Sequence, residues 1–193
     1  MRVQDILGRT MRILGISGSL RKESFNTKLL RAARELVPEG HTIEAFDIAP
    51  IPIYNHDVYE AGFPVEVVQF REAIRAADAL LVATPEYNYS VPGVLKNAID
   101  WASRAPSQPF AGKPLAMMGA TPGLGGTVRS QYHLRQVLTA LDVHIVNRPE
   151  VAVRSAPDKF DASGTLTDEK TRTQVKALLA ALIAWPARLQ GNT

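Results

Sequence analysis

The sequence of 193 residues predicts an α/β fold, a doubly wound parallel sheet with helices on both faces. The prediction rests on the order of two kinds of segment along the chain. Five short apolar runs alternate along the chain with five segments of helical period. Such alternation is typical of parallel strands that are joined by right-handed helical crossovers. Ligands of these sheets bind beyond the carboxyl ends of the strands, so the loops that follow the strands form the candidate site.

The five predicted strands are short, and their residues suit burial in a sheet. Ala79–Thr84 is almost uniformly apolar, as expected of a parallel strand that is covered on both faces. Thr42–Phe46 alternates apolar and polar residues, which indicates a half-buried strand. The other three are Arg12–Ser17, Leu115–Met118 and Val143–Val146.

The predicted helices carry apolar residues at three- and four-residue spacing. A proline-rich connection over residues 48–64 separates the second strand from the second helix. Pro92 suits the first turn of the third helix, because a helix needs no N–H hydrogen bond there. The five helices are Asn26–Val37, Val65–Ala76, one from Pro92 through Arg104, one that ends at Leu141, and a last one that Pro186 ends or kinks.

Composition limits the possible functions. The chain has no cysteine, which excludes disulfides, thiolate metal sites and a catalytic thiol. Its four histidines lack the spacing of metal ligands, so we expect no metal site. The net charge of +3 is spread along the chain without a basic block, and no nucleic-acid partner is expected. No segment is apolar enough to span a membrane, and we expect a cytoplasmic protein.

Residues 11–190 are expected to form one domain. Residues 1–10 precede the first strong strand and lack an apolar run long enough for a signal peptide. We expect them to be a flexible N-terminal extension, or a segment upstream of a true start at Met11.

The first loop, residues 17–27 (SGSLRKESFNT), is crowded with polar residues. They surround the start of a helix, whose unpaired N–H groups and partial positive charge attract anions. Arg21 and Lys22 add positive charge. An ordinary N-cap by Ser24 or Asn26 is the alternative, since both residue types are favoured there. Because five hydroxyl or amide side chains occur in this loop, a phosphate site is the better interpretation.

The second loop, residues 84–92 (TPEYNYSVP), combines two prolines with two tyrosines. These residues suit a stiff wall for a flat ring, with backbone groups at the ring's polar edge. An ordinary turn with exposed tyrosines is an equal alternative. The third loop, residues 119–126 (GATPGLGG), has four glycines that allow the backbone to approach a ligand closely. A flexible turn between strand and helix is the alternative there.

These motifs resemble those of the NADPH-dependent FMN reductase family, in particular its quinone and chromate reductase branch. The resemblance rests on residues 18–22 (GSLRK), residues 24–26 (SFN) and the specific stretch over residues 84–93 (TPEYNYSVPG). Residues 95–101 (LKNAIDW) and 131–136 (QYHLRQ) extend it. The resemblance implies a flavodoxin-like fold, a doubly wound five-stranded parallel sheet of strand order 2-1-3-4-5.

The resemblance also implies an FMN site built from all three loops. The expected phosphate ligands are Ser19, Leu20, Arg21, Ser24, Phe25 and Asn26. The expected contacts of the isoalloxazine ring and ribityl chain are Pro85, Glu86, Tyr87 and Asn88, and Thr121 closes the pocket. The family forms homodimers, often dimers of dimers, and the positions of Tyr132 and Glu150 are associated with that assembly. The third loop departs from the more hydroxyl-rich forms of this branch, which leaves the preferred acceptor open.

The implied activity is that of an NAD(P)H oxidoreductase. Bound FMN takes a hydride from NADPH or NADH and passes electrons to a small acceptor such as a quinone, chromate, an azo compound or free flavin. No side chain is expected to be catalytic, because the flavin N5 carries the chemistry and solvent supplies the proton. Successive binding of nucleotide and acceptor predicts ping-pong kinetics.

Three other interpretations compete with that of an oxidoreductase. A non-enzymatic, flavodoxin-like electron carrier that docks basic partners is expected to be acidic, whereas this chain has a net charge of +3. A regulatory receiver domain needs acidic residues where Ser17 and Thr84 stand. An FMN-binding sensor or assembly protein stays open.

Overall fold

The computed structural model describes residues 10–190, so the predicted N-terminal extension lies outside the described residues apart from Thr10. Its centre is a parallel sheet of strand order β2-β1-β3-β4-β5, in which β6 also pairs with β4. This order confirms the predicted doubly wound fold and adds one strand to it. The strands are β1 (Arg12–Ser17), β2 (Thr42–Phe46), β3 (Ala79–Ala83), β4 (Pro114–Ala120), β5 (His144–Ile145) and β6 (Val151–Val153).

The edge position beside β4 is shared by two short strands. His144 and Ile145 of β5 pair with the beginning of β4, and Val151–Val153 of β6 pairs with its end. The single predicted strand Val143–Val146 is therefore wrong in its bounds, and β6 was missed. Pro149 lies between the two strands, and a proline cannot donate a hydrogen bond to a neighbouring strand.

Helices cover both faces of the sheet. A short helix, α2, lies within the proline-rich connection and was not predicted from the sequence. The last helix continues through Pro186, so this proline does not end it. The helices are α1 (Phe25–Leu36), α2 (His56–Ala61), α3 (Val65–Ala76), α4 (Gly93–Ala102), α5 (Val128–Thr139) and α6 (Glu169–Gln190), with a 3₁₀ turn at Ala156–Lys159. Within residues 10–190, no helix has both the length and the apolar character needed to cross a bilayer.

The core consists of two apolar layers, one on each face of the sheet. Alternate residues of the strands point into different layers, as the period of two requires. Ile13 and Leu81 pack with α1 and α6, whereas Leu14 and Leu80 pack with α3, α4 and α5. Burial on both faces is the reason that β3 is uniformly apolar.

The strand register brings three loops together at one end of the sheet. β1 pairs with β3, and Ser17 lies opposite Ala83. β3 pairs with β4, and Ala83 lies opposite Met118. The carboxyl ends of these adjacent strands lead directly into the first, second and third loops, where ligands of such sheets bind.

Candidate active site

The three loops touch one another at glycine positions. A Cβ atom at Gly18 of the first loop would lie 3.2 Å from Cδ of Pro85 in the second loop. A Cβ atom at Gly119 of the third loop would lie 2.5 Å from the carbonyl oxygen of Thr84. Only glycine allows such an approach at Gly119, because a real Cβ atom would overlap the backbone. The loops therefore form one packed surface.

Asn26 joins the first loop to the third through its buried side chain. Its Nδ2 group donates to the carbonyl oxygen of Ala120 at 2.9 Å, and its Oδ1 atom accepts from the N–H of Ala120 at 2.9 Å. The side chain is only 3% exposed. Asn26 thus bonds to β4 as a neighbouring strand would, and it fixes the start of α1 against the sheet.

Ser24 is the N-cap of α1. Its Oγ atom accepts from the N–H groups of Asn26 at 3.2 Å and Thr27 at 3.3 Å, and the residue is buried. The Ser24 hydroxyl therefore caps the helix, as in the capping alternative that the sequence left open. Ser19, also a predicted phosphate ligand, is buried, and its Oγ atom accepts from the N–H of Arg21 at 3.4 Å. These hydroxyls shape the loop from within.

The outer side of the first loop keeps its donors unused. The backbone N–H groups of Leu20, Lys22 and Phe25 have no acceptor among residues 10–190. Arg21 is exposed, and its guanidinium group lies 5.6 Å from the ring centroid of Phe25, with no carboxylate partner in the described part of the chain. Leu20 is half exposed. Several donors and a cation are therefore available to a ligand.

The charge around this loop is positive. Glu23 is the nearest carboxylate, and it forms an ion pair with Lys28 at 2.8 Å. The hydrogen bond and the charge of Lys28 lower the pKa of Glu23, so this carboxylate is ionised at neutral pH. Since Lys28 balances Glu23, the charges of Arg21 and Lys22 are left to attract an anion.

The second loop folds into a tight turn. Tyr87 and Ser90 exchange two backbone hydrogen bonds, of 3.2 and 3.0 Å. Between them, Asn88 and Tyr89 have φ angles of 49° and 64°, the left-handed pair that a type I′ turn requires. The ring of Tyr87 is 51% exposed, and that of Tyr89 is 63% exposed. Pro85 is buried beneath this turn.

Glu86 joins the second loop to the amino end of α5. Its Oε2 atom accepts from the N–H groups of Arg129 at 3.0 Å and Ser130 at 3.3 Å. Its Oε1 atom accepts from the Arg129 side chain at 2.9 Å. The guanidinium group of Arg129 in turn lies 4.0 Å from the ring centroid of Tyr89. The carboxylate of this predicted flavin contact is therefore occupied by protein donors.

Two more contacts hold the second loop on α5. Thr84 and Ser130 share a hydrogen bond of 3.0 Å between their buried hydroxyl groups. The hydroxyl of Ser90 lies 3.0 Å from Nδ1 of His133. The first turns of α5 thus form the support on which the second loop rests.

The third loop is attached to β6. The N–H of Thr121 donates to the carbonyl oxygen of Val153, and the carbonyl oxygen of Thr121 accepts from Ala156, both at 3.0 Å. The Thr121 hydroxyl accepts from the N–H of Gly123 at 3.3 Å. Gly126 has a φ angle of 63° and lies so close to Ala152 that a Cβ atom would meet its carbonyl oxygen at 2.8 Å. Thr121 is half-buried at the border of the three loops.

Comparison with known proteins identifies the family. A sequence model of the NADPH-dependent FMN reductases matches residues 11–158. The chain belongs to this family. An NAD(P)H-dependent FMN reductase of Pseudomonas aeruginosa is 60% identical over 181 residues, which cover 94% of this chain and 98% of the relative.

More distant members of the FMN reductase family agree in fold. An NADPH:quinone oxidoreductase of Arabidopsis thaliana is 49% identical over 188 residues, which cover 94% of this chain and 95% of the relative. The solved structure of a flavoenzyme NAD(P)H:(acceptor) oxidoreductase from Paracoccus denitrificans superimposes with a TM-score of 0.84 at 34% identity, over 91% of this chain and 97% of that one. The flavodoxin-like fold implied by the sequence is thereby confirmed.

Tyr132 and Glu150, which the resemblance leads us to expect at a subunit contact, pair within the chain. The hydroxyl of Tyr132 donates to Oε1 of Glu150 at 3.2 Å, and Arg148 lies 4.0 Å from the same carboxylate. Tyr132 is half exposed. A role in subunit contacts stays a prediction.

Sequence reasoning missed the supporting residues Arg129 and Ser130. The only sequence signal was an absence. The first turn of α5 has no acidic residue that could interact with its free N–H groups. Thr127 stands at the N-cap position, but its φ angle of 64° is left-handed and its side chain caps nothing. A helix without its own cap needs a partner from elsewhere in the chain.

Proposed function

We propose that this protein is an FMN-dependent NAD(P)H oxidoreductase that transfers electrons to quinones or other small acceptors. One observation carries this proposal: N–H donors and an arginine without partners among residues 10–190 meet an exposed tyrosine-bearing turn at the carboxyl ends of β1, β3 and β4. Membership of the FMN reductase family supports it.

The first loop fits the phosphate of FMN. A phosphate dianion needs several N–H donors and a positive charge, and charge-assisted hydrogen bonds are the stronger ones. The free N–H groups of Leu20, Lys22 and Phe25 supply the donors, and Arg21 supplies the charge. Asn26 holds the loop in shape, because both ends of its amide bond to Ala120, whereas Ser19 and Ser24 shape the loop with their oxygen atoms and keep an O–H donor for the phosphate.

The second and third loops fit the ring and the ribityl chain. Tyr87 offers exposed apolar surface while Pro85 is buried behind it, and the side chains of Tyr87 and Asn88 have no hydrogen-bond partner within residues 10–190. Backbone groups of a rigid turn are suited to the polar edge of a planar ring. The half-buried Thr121 lies where the pocket closes.

When bound, FMN supplies the redox chemistry by accepting a hydride from the nicotinamide nucleotide and returning electrons to the acceptor. The protein binds and orients the cofactor, and its N–H donors stabilise negative charge that develops at the ring edge. No side chain is assigned as a general acid or base, and solvent supplies the proton. We therefore expect ping-pong kinetics, with nucleotide and acceptor using the same site in turn.

The finer properties belong to the same proposal. We expect residues 11–190 to act as one cytoplasmic domain that assembles as a homodimer, with two dimers forming a tetramer through Tyr132 and Glu150. Either nicotinamide nucleotide serves as donor, and the acceptors include quinones, chromate, azo compounds and free flavin. Sedimentation of wild-type protein and of Tyr132→Phe tests the assembly, because loss of this hydroxyl removes its bond to Glu150. An unchanged tetramer in the variant would contradict this contact.

The test of the function is spectroscopic and kinetic. Apoprotein is titrated with FMN, and the complex is then mixed with NADPH without oxygen. We expect stoichiometric binding, bleaching of the flavin absorption by NADPH and steady NADPH oxidation when a quinone is added. Protein that binds no FMN, or a complex that only a partner protein reduces, would overturn the proposal.

A further inference from the structure

The amino end of α5 is capped by a residue far away in the sequence. The side chain of its own N-cap residue, Thr127, makes no capping hydrogen bond, and the first turn of the helix has no acidic residue. The missing acceptor is supplied by Glu86, 43 residues before Arg129 in the chain. A carboxylate at this place also suits the partial positive charge of a helix amino end.

The carboxylate of Glu86 is fully engaged by protein. It accepts from two backbone N–H groups of α5 and from the guanidinium group of Arg129. The Glu86 side chain is 14% exposed, whereas the side chains of Tyr87 and Asn88 beside it are exposed and make no hydrogen bond within residues 10–190. The surface that faces a ligand is thus formed by the turn, and Glu86 lies on its supporting side.

The turn depends on this support. Asn88 and Tyr89 both adopt left-handed backbone angles, which asparagine tolerates and tyrosine rarely adopts. Arg129 contacts Glu86 on one side and the ring of Tyr89 on the other. The side chains of Glu86, Arg129 and Tyr89 therefore connect α5 to both ends of the turn.

We propose that Glu86 is a positioning residue for the flavin ring, which clamps the second loop onto α5 through Arg129 and does not contact the cofactor with its carboxylate. This inference rests on the proposed function. It differs from the role that family resemblance implies for Glu86, which is direct contact with the isoalloxazine ring or ribityl chain. Loss of the clamp loosens the wall for the ring and leaves the phosphate loop unchanged.

The test compares two flavins. Riboflavin has the ring but no phosphate, so only FMN uses the first loop. We expect Glu86→Ala to raise the Kd of FMN and of riboflavin by the same factor, about tenfold, or 1.4 kcal/mol. Glu86→Gln should stay within about threefold of wild type, because its amide oxygen still accepts from α5. Glu86→Ala affinities equal to wild type, or a loss confined to FMN, would overturn the clamp.

A double-mutant cycle separates clamp from contact. Arg129→Ala should weaken both flavins, and Glu86→Ala combined with Arg129→Ala should cost less than the sum of the two single losses, since the two side chains share one ion pair. Additive losses would overturn the inference. Should Glu86→Ala not fold, Glu86→Gln and Arg129→Ala are compared in the same titrations, and both at wild-type affinity would contradict it.

The control is a second carboxylate–arginine pair away from the loops. Glu72 pairs with Arg75 on α3, and Glu72→Ala should leave both dissociation constants unchanged. Wild-type protein that binds neither flavin would overturn the proposed function itself. Wild type that binds both while Glu86→Ala matches it would overturn only the inference about Glu86.

Discussion

Basic side chains occur at both ends of the sheet, but the two ends use them differently. At the amino end, Arg12, Arg71 and Lys113 all donate to backbone carbonyl oxygens. At the carboxyl end, Arg21 is exposed and has no acceptor within residues 10–190. The same chemical groups therefore stabilise the fold at one end and are available to a ligand at the other.

Arg71 illustrates how completely the amino end is satisfied. Its guanidinium group, only 4% exposed, donates to the carbonyl oxygens of Ala102, Arg104, Pro106 and Ser107. Burial lowers the pKa of Arg71, yet an arginine keeps its charge at neutral pH. Lys113 likewise donates to Arg75 and Ala77, and burial lowers its pKa. Backbone carbonyl groups are the hydrogen-bond acceptors of both side chains here.

The largest expected effect is a loss of stability from a substitution at the amino end of the sheet. Arg71→Met removes one buried hydrogen bond, to the carbonyl group of Ala102, and three part-buried ones, and an unsatisfied buried group costs about 1–3 kcal/mol. We expect the free energy of unfolding, measured with urea, to fall by about 4 kcal/mol. The Kd of FMN for the remaining folded protein should not change. A stable Arg71→Met variant, or one that folds normally but loses FMN, would contradict the division between the two ends.

A second change acts at the carboxyl end on both stability and binding. The added methyl group of Gly119→Ala would overlap the backbone of Thr84, so the second and third loops must move apart. Overpacking of this kind costs about 1–3 kcal/mol. We expect a loss of that size in urea unfolding, together with weaker FMN binding by fluorescence titration. Gly123→Ala is the control, because its Cβ atom would have only an ordinary contact with Thr121.

A third change separates binding from stability. Arg21→Gln removes a charge that makes no ion pair within residues 10–190, so the free energy of unfolding should stay within about 0.5 kcal/mol of wild type. Loss of a charge-assisted bond to phosphate, about 1.5–3 kcal/mol, should raise the Kd of FMN tenfold or more. Riboflavin should bind as before. Arg34→Gln, an exposed arginine of α1, serves as the matched control. Equal losses for FMN and riboflavin would place Arg21 elsewhere.

The smallest effect concerns pH and a carboxylate outside the three loops, Asp168. Hydrogen bonds from Lys159 and Thr171 lower the pKa of Asp168 from 3.8 to about 2. A lowered pKa stabilises the fold above the unfolded value of 3.8, and this contribution is lost as pH falls towards 2. Asp168→Asn should therefore flatten the dependence of unfolding free energy on pH in that window. Equal slopes for wild type and variant between pH 2 and 4 would disprove this.

The apolar pattern of the sequence correctly predicted those strands and helices whose bounds depend on that pattern alone. The bounds of β1, β2 and α3 agree with the predicted ones, because apolar periodicity determines them. The edge position was predicted less well, since two-residue β5 and three-residue β6 are too short to show a period. The helix α2 was hidden by the prolines that flank it.

The position of the candidate site was predictable from the sequence. Which of its polar side chains bond to the protein was not. The order of strands placed all three loops at one end of the sheet. Whether a polar side chain faces a ligand or the protein depends on partners remote in sequence. Asn26 bonds 94 residues away to Ala120, and Glu86 bonds 43 residues away to Arg129. No local pattern encodes such pairs, so motif resemblance assigned these side chains to the cofactor.

The first loop is anchored at both ends. Its Gly18 N–H donates to the carbonyl oxygen of Ala83 at 2.8 Å, and Asn26 bonds to Ala120. We expect the exposed residues between these anchors, such as Arg21 and Lys22, to tolerate substitution without a shift of the helix that follows. Variants with altered charge in residues 20–23 would therefore change which anionic cofactors are accepted, while the scaffold is inherited intact.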